Sequence, residues 1–269
     1  MGQRVWIDTH CHLDAQPFSG IVDQVVAEAL GNGVSHILIP AVNRASFYQV
    51  CNIANTVGHC SYALGIHPLY VPQSNESDLD VLEEMVQEKM ADKHFVAIGE
   101  IGLDFYLPER QEPAAKEKQE HFLVRQLQIA KRFDLPVLLH TLRSVDAVLK
   151  LLKQCGVKKG IAHAFNGSSQ QAYAYINQGF KLSFCGTVTY DRAQQRRKLA
   201  VELPLESIVV ETDAPDLPPY WKSKRENSPT ELPQIARMIA ELRGISAEKL
   251  AEQTCQNAVS TVPRLAEII

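Results

Sequence analysis

The sequence predicts an α/β fold, a single (β/α)8 TIM barrel that occupies residues 1–269 as one domain. Short apolar runs of strand length recur eight times along the chain, and longer amphipathic stretches separate them. The runs are continuously apolar rather than alternating, which is typical of parallel strands that helices cover on both faces. The runs are Val5–Thr9, His36–Ala41, Ser61–Ile66, Phe95–Glu100, Pro136–His140, Gly160–Ala164, Lys181–Cys185 and Ile208–Glu211.

The stretches between and after the runs carry apolar residues at helical spacing, and serines at 144 and 168 are candidate N-caps. Eight strand–helix repeats with right-handed crossovers close naturally into a barrel. A doubly wound open sheet is the competing fold, but no GxGxxG motif follows the first strand. The predicted helices are Gln24–Leu30, Asp78–Ala91, Glu117–Phe133, Ser144–Leu152, Gln170–Asn177, Thr230–Leu242 and Ala247–Val259.

Composition limits the class of protein and its partners. The 45% hydrophobic content supports a sizeable core, and the net charge of −4 means that the whole molecule does not attract nucleic acid. A polyanion would have to be held by a local basic patch or by bound metal ions. No apolar run is long enough to span a bilayer, and the N-terminus lacks the apolar core of a signal peptide. We therefore expect a cytoplasmic monomer without membrane association, with its six cysteines reduced.

Metal-ligand side chains recur where predicted strands end. Four histidines and two carboxylates occupy such positions, and the carboxyl-terminal face is where barrel enzymes build their active sites. His10 and His12, two residues apart on a strand, can present both imidazoles to one ion, whereas Cys11 between them points the other way. The six side chains are those of His10, His12, Glu100, His140, His163 and Asp213.

Imidazole and carboxylate together suit divalent metals such as Zn²⁺, Mn²⁺ or Mg²⁺. Six ligands are too many for one tetrahedral ion and about right for two ions that share a carboxylate. Any one of these residues alone has a simpler interpretation, since His140 or His163 could be a hydrogen-bonded core histidine and Glu100 could pair with a nearby cation. Their coincidence at strand ends favours a site for two divalent metal ions.

Several motifs resemble those of the TatD family of metal-dependent deoxyribonucleases, within the amidohydrolase superfamily. They follow the family's order along almost the whole chain, and the likeness is strongest to the bacterial TatD-like hydrolases. The matching stretches are IDTHCHLD at 7–14, ALGIHP at 63–68, AIGEIGLDFY at 97–106, QEHFLVRQLQIAKRFDLPVLLH at 119–140, HAFNGS at 163–168, ETDAPDLP at 211–218 and RENSP at 225–229.

The resemblance implies a role for each matching residue. His10, His12 and Asp213 would hold one metal, His140 and His163 the second, and Glu100 would bridge the two. Asp213 would also act as general base towards a water activated between the ions, which makes Asp213 and Glu100 the expected catalytic residues.

Substrate contacts are expected from the loops at the same face. His67 would contact a phosphate oxygen, although it could equally close a turn before Pro68, and Arg225 and Asn227 lie in a loop that could close over substrate. Asp8 and Asp104 could orient the ligand histidines or the loops at the mouth, and Asp104 could equally anchor its own turn. The basic cluster of Arg192, Arg196, Arg197 and Lys198 is interpreted as a solvated helix face, with nucleic-acid contact as the alternative.

One departure from the family pattern weakens the expected grip on phosphate. The family usually has an arginine two residues after the histidine of the fifth strand, where this chain has Leu142 followed by Arg143. The leading hypothesis is a two-metal phosphodiesterase, a TatD-like 3′-to-5′ exonuclease on single-stranded DNA or RNA. The alternatives are a hydrolase of small esters, amides or phosphoesters, and a non-catalytic metal-binding scaffold.

Overall fold

A computed structural model describes residues 6–223 and 226–269. Its eight strands are all parallel, and each pairs with the next one along the chain, in the order β1 to β8. The predicted (β/α)8 TIM barrel is confirmed, and the open doubly wound sheet is excluded by this order. That residues 1–269 form one domain stays a prediction. The strands are β1 (Trp6–Asp8), β2 (Val34–Pro40), β3 (Cys60–Leu64), β4 (Phe95–Asp104), β5 (Val137–Leu142), β6 (Gly160–Ala162), β7 (Phe180–Phe184) and β8 (Ile208–Val210).

Helices follow the strands and cover the outside of the barrel. The long ones lie close to the predicted positions, but α2 and α7 were not predicted as helices from their periodicity. They are α1 (Val22–Gly31), α2 (Phe47–Val57), α3 (Glu76–Lys89), α4 (Pro113–Arg132), α5 (Val145–Cys155), α6 (Ser169–Asn177), α7 (Gln194–Glu202), α8 (Leu232–Arg243) and α9 (Ala247–Thr261).

The two serines expected to cap helices behave differently. Ser168 forms a capping box with Gln171 at the start of α6, as predicted. Ser144 precedes α5 but its side chain makes no capping hydrogen bond. Its hydroxyl instead donates to the carbonyl oxygen of Leu103 at 2.6 Å, so the capping prediction is wrong for Ser144 and the residue ties α5 to β4.

The barrel nearly closes where β1 meets β8. The backbone N–H and the hydroxyl of Thr9 both donate to the carbonyl oxygen of Val210, at 3.3 and 3.1 Å. The buried carboxylate of Asp8 accepts hydrogen bonds from the backbone N–H groups of His10 and Thr212 at 3.2 and 3.0 Å. Asp8 was expected to orient either a ligand imidazole or the loops at the mouth, and these contacts with the loop backbone fit the second role.

Inside the barrel, mostly small and branched side chains fill the space. The C-terminal helix α9 and the short turn after it pack against this interior layer and close the end opposite the ligand face. The amide of Asn257 on α9 donates to the carbonyl oxygen of Ile208, the first residue of β8, at 2.7 Å. The interior layer consists of Ile7, Leu38, Ala63, Val96, Ala97, Leu138, Ile161 and Val209.

All six cysteines are free thiols. Cys11 is buried and its sulfur lies 3.7 Å from the carbonyl oxygen of Ala214, as expected of a side chain that points away from the histidines beside it. Within the part of the chain that the structure describes, no helix is long and apolar enough to cross a membrane.

Candidate metal centre

The six predicted ligands meet at the carboxyl-terminal end of the barrel. His10 and His12 follow β1, Glu100 lies within β4, and His140 lies within β5. His163 follows β6 and Asp213 follows β8. Residues from five strands therefore converge because parallel strands all end at one face.

The first group of ligand atoms surrounds one oxygen of Glu100. Its Oε2 lies 3.1 Å from Nε2 of His10 and 3.5 Å from Nε2 of His12, and the two nitrogens are 3.3 Å apart. Oδ1 of Asp213 is 3.6 Å from both nitrogens. Ligands about 2.0–2.2 Å from a tetrahedral ion are about 3.3–3.6 Å from one another, so these spacings suit one bound cation.

The second group surrounds the other oxygen of Glu100. Its Oε1 lies 2.9 Å from Nε2 of His163, 3.1 Å from Nδ1 of His140 and 3.2 Å from Nε2 of His67. The two nitrogens of His140 and His163 are 3.3 Å apart. One carboxylate therefore faces two separate sets of nitrogen atoms, the arrangement of a bridging ligand.

Two of these imidazoles have a carboxylate near the ring nitrogen that is not directed at Glu100. Oδ2 of Asp104 is 3.4 Å from Nε2 of His140, and Oε1 of Glu211 is 3.5 Å from Nδ1 of His163. A ligating histidine usually directs its other ring nitrogen to such an acceptor, which fixes the ring and its tautomer. Glu211 was not predicted as a site residue, although its position two residues before Asp213 repeats the spacing of His10 and His12.

The electrostatics of the centre favour positive charge. Burial alone would raise the pKa of Glu100, but the charges of the surrounding histidines hold it well below the ordinary value. Burial opposes protonation of His12, yet the hydrogen bond to Asp213 and the charges of Glu100 and Asp213 raise its pKa to about 9. The carboxylates thus attract cationic charge to a place with little access to water.

The donor set fits divalent cations. Imidazole nitrogens and carboxylate oxygens are the ligands that such metals take. Among the described residues there are three sets of possible metal ligands, and within each set the ligand atoms lie within 4.8 Å of one another. They are His10 with His12 and Asp213, His67 with Glu100 and His140, and His10 with His163 and Glu211.

The cluster opens into a pocket of about 930 Å³. All the clustered ligands except His10 line it, and His67 lines it as well. Apolar side chains such as Leu69 and Leu142 share the wall with the carboxylates of Asp14 and Asp216. The pocket is thus partly apolar and carries more acidic than basic side chains.

Unlike His67, one of the two loop residues expected to contact substrate lies away from the pocket. Asn227 is 1% exposed and does not line the pocket. Its amide donates to the carbonyl oxygens of Thr212, at 2.9 Å, and Asp216, so it holds the loop after β8 in place. The amide of Asn227 is therefore already engaged by the backbone, and its contact with substrate stays a prediction. Arg225 lies outside the described residues.

Comparison with known proteins identifies the family. The family model described as TatD related DNase matches residues 7–262. The uncharacterized metal-dependent hydrolase YjjV of Escherichia coli K12 is 36% identical over 253 residues, 94% of this chain and 95% of that protein. The human deoxyribonuclease TATDN3 is 33% identical over 270 residues, 98% of this chain and 96% of that protein.

Solved structures agree with this relationship. The crystal structure of the TatD homologue YjjV from Escherichia coli superposes with a TM-score of 0.91 at 35% identity, covering 98% of this chain and 99% of that one. A TatD-family hydrolase from Entamoeba histolytica has the same fold, with a TM-score of 0.82, 23% identity and coverage of 97% and 99%. The chain therefore belongs to the TatD family, and it is a metal-dependent hydrolase with that family's TIM barrel.

Proposed function

We propose that this hydrolase cleaves phosphodiester bonds, as a 3′-to-5′ exonuclease on single-stranded DNA or RNA. The observation that carries the proposal is the position of Glu100, whose two oxygens each face a separate set of ligand nitrogens. A pair of cations bridged in this way is a recurrent device of nucleases and phosphatases. The name of the human relative, a deoxyribonuclease, supports the same substrate class.

The proposed ligand sets follow the two groups of atoms. His10, His12 and Asp213 would hold one divalent cation, and His140 and His163 would hold a second. Glu100 would contribute one oxygen to each. Such ions, once bound, would supply Lewis-acid stabilisation of phosphoryl charge and lower the pKa of water.

Asp213 is the proposed proton acceptor. Burial would raise the pKa of its carboxyl group, but the hydrogen bond from His12 and the charges of His163 and His10 lower it. The group therefore remains ionised at neutral pH, and it lines the pocket. Its backbone N–H donates to the carbonyl oxygen of His10 at 2.8 Å, which holds the residue at a φ of 54° and keeps the carboxylate at the centre.

His67 is proposed to donate a hydrogen bond to a phosphate oxygen. The backbone N–H of Leu69 donates to its Nδ1 at 3.1 Å, so the proton of the neutral ring must sit on Nε2. Burial lowers the pKa of His67 to about 4, which keeps the ring neutral. A protonated Nε2 cannot bind a metal, and it points into the pocket beside Glu100 as a donor.

The size and charge of the pocket leave a second candidate, a hydrolase of small esters, amides or phosphoesters. About 930 Å³ is within the usual range for small-molecule sites. Asp14 and Asp216 on the wall would repel the phosphates of a long polyanion. If the substrate is instead a nucleic acid, a pocket of these dimensions suits the end of a single strand better than an intact duplex.

Labelled oligonucleotides provide the test. We expect metal-loaded protein to release mononucleotides from the 3′ end of single strands, and a chelator to abolish this release. His140→Ala should reduce the rate by at least about 100-fold, whereas His121→Ala, which removes an exposed imidazole on α4, should not. If metal-loaded protein cleaves carboxylic esters but leaves DNA, RNA and bis(p-nitrophenyl) phosphate intact, the small-molecule function replaces the proposal.

A further inference from the structure

The family's usual phosphate-binding arginine has no replacement at its own position. Leu142 lines the pocket with an apolar side chain. The next residue, Arg143, has a φ of 55° and turns away from the pocket. Its guanidinium stacks on the ring of Tyr106 at 4.7 Å and donates to the carbonyl oxygen of the same residue. Neither residue at the end of β5 can therefore supply a cation to the pocket.

Arg196 supplies a cation from another element. It is the third residue of α7 and lies on the pocket wall together with His163 and Asn166, on the side of the second ligand group. Among the described residues that line the pocket, Arg196 is the sole arginine or lysine. The sequence pattern suggested a solvated helix face because Arg196 belongs to a basic cluster, and two of its members, Arg192 and Lys198, are indeed exposed.

Those neighbours already have partners, whereas Arg196 has no ion-pair partner among the described residues. Arg197 forms an ion pair with Asp191 at 2.7 Å, and Lys198 lies 3.9 Å from Glu202. Arg192 stacks on the ring of Tyr190. Within the described ranges Arg196 forms no ion pair, and its Nε is buried without a hydrogen-bond partner. The guanidinium of Arg196 on the pocket wall is thus free, among the described residues, to pair with an anion that enters the pocket.

The start of α7 is held firmly against the mouth of the barrel. The side-chain amide of Gln195 donates to the carbonyl oxygen of Gly167 at 3.3 Å. In the loop before α7, Gly186 packs so closely on the loop after β8 that an added Cβ would lie 2.5 Å from the carbonyl oxygen of Leu217. The hydroxyl of Thr189 accepts a hydrogen bond from the backbone N–H of Tyr220 at 2.9 Å. The first residues of α7, which include Arg196, are therefore held in place beside the pocket.

We propose that Arg196 binds the phosphate group of the substrate. It would take the role of the arginine that the family usually has at the position of Leu142. A guanidinium offers two terminal N–H groups as parallel donors, which match two oxygens of a phosphate. Because Arg196 is the sole arginine or lysine among the described residues that line the pocket, this contact favours a phosphoryl group over a neutral acyl group. The inference rests on the proposed phosphodiesterase function, because it names the group that holds that substrate.

Binding of a mononucleotide to Mn²⁺-loaded protein, measured by calorimetry, tests the proposal without turnover. Thymidine 5′-monophosphate is the probe, and thymidine, which lacks the phosphate, is its neutral counterpart. Arg196→Gln is expected to weaken binding of the monophosphate by about 10- to 100-fold, while Arg196→Lys restores part of it because lysine keeps the charge and loses the paired donors. Lys198→Gln removes the same charge from an exposed position on α7 and is expected to change nothing.

The outcomes separate this proposal from the proposed function. Equal affinity of Arg196→Gln and the parent chain for the monophosphate would overturn the role of Arg196, whether or not the enzyme cleaves phosphodiesters. So would failure of the parent chain to bind the monophosphate more tightly than thymidine. If binding depends on Arg196 but neither oligonucleotides nor bis(p-nitrophenyl) phosphate are cleaved, the phosphate contact stands and the phosphodiesterase function fails.

Discussion

At the scale of single residues, Asp104 controls the direction of His140. Its Oδ2 faces Nε2 of the imidazole at 3.4 Å and also accepts a hydrogen bond from Arg110 at 2.9 Å. Burial would raise the pKa of Asp104, but the hydrogen bonds from His140 and from the backbone N–H of Tyr106 lower it to about 2. The carboxylate therefore remains charged and holds the ring so that Nδ1 points towards Glu100.

Replacing Asp104 by asparagine should therefore loosen the proposed second metal site without removing a ligand. An amide can still face the ring, but it lacks the charge that makes imidazole a better ligand, so we expect metal affinity to fall about 10- to 100-fold. Competition with a chromophoric chelator measures this affinity. Asp134→Asn, at an exposed position with a φ of 52° that asparagine tolerates, is the matched control. Unchanged affinity in Asp104→Asn would show that the carboxylate does not support the ligand.

At the scale of elements, the contact between β4 and β5 places Glu100 and His140 next to each other. In the pairing of the two strands Gly102 lies opposite His140. Its φ is 153°, and an added Cβ would lie 1.9 Å from the carbonyl oxygen of His140. Only glycine fits here, because both the backbone conformation and the space exclude a side chain. The register that brings the two metal-site strands together thus depends on this residue.

We expect Gly102→Ala to reduce the free energy of unfolding by about 2 kcal/mol or more. The added methyl group must displace the backbone of β5, so bound metal should be lost along with stability. Urea denaturation followed by circular dichroism measures the change. Gly31→Ala at the end of α1 is the control, since a Cβ there meets nothing within 4 Å, and it should be neutral or slightly stabilising. A Gly102→Ala variant as stable as the Gly31→Ala control would contradict the packing described here.

At the scale of the whole molecule, the sequence predicted the barrel because every strand is buried on both faces. Continuous apolarity records such burial directly, as β4 demonstrates, since all ten of its residues are buried. Helix α7 was harder to predict because it buries only Leu199 and Ala200, too few to form an apolar stripe. Its position depends on contacts with the loops around it, which no local pattern contains.

The candidate site likewise combines residues that a local sequence pattern predicts with residues whose positions depend on tertiary contacts. The candidate ligands were visible because strand ends and a two-residue spacing are local features, and parallel topology brings such features together. Glu211 was missed, and Arg196 was named only within a basic cluster for which nucleic-acid contact was the alternative, because their positions depend on which loop lies opposite. Glu211 accepts a hydrogen bond from the backbone N–H of Ala164 at 2.7 Å. Arg196 lines the pocket from α7, whose sequence is typical of a solvent-exposed helix.

The barrel interior also contains a titratable group that links global stability to pH. His36 lies in β2 at 2% exposure, where one ring nitrogen shares a 3.0 Å hydrogen bond with the hydroxyl of Ser61. Burial, reinforced by the charges of His59 and His94, lowers its pKa to about 3. The folded protein therefore keeps this imidazole neutral, whereas the unfolded chain protonates it near its ordinary pKa of 6.5.

Because the pKa of His36 is lower in the folded state, the unfolded chain binds the extra proton between pH 6.5 and 3, so acid favours unfolding in that window. This group alone should remove about 2 kcal/mol of stability between pH 7 and pH 5.

His36→Gln keeps a partner for Ser61 but cannot titrate, so its urea midpoint should fall less over that interval than that of the parent chain. Ser61→Ala keeps the imidazole and should keep the full loss, even if it is less stable at every pH. Equal pH dependence in the parent chain and His36→Gln would mean that the buried imidazole does not govern acid stability.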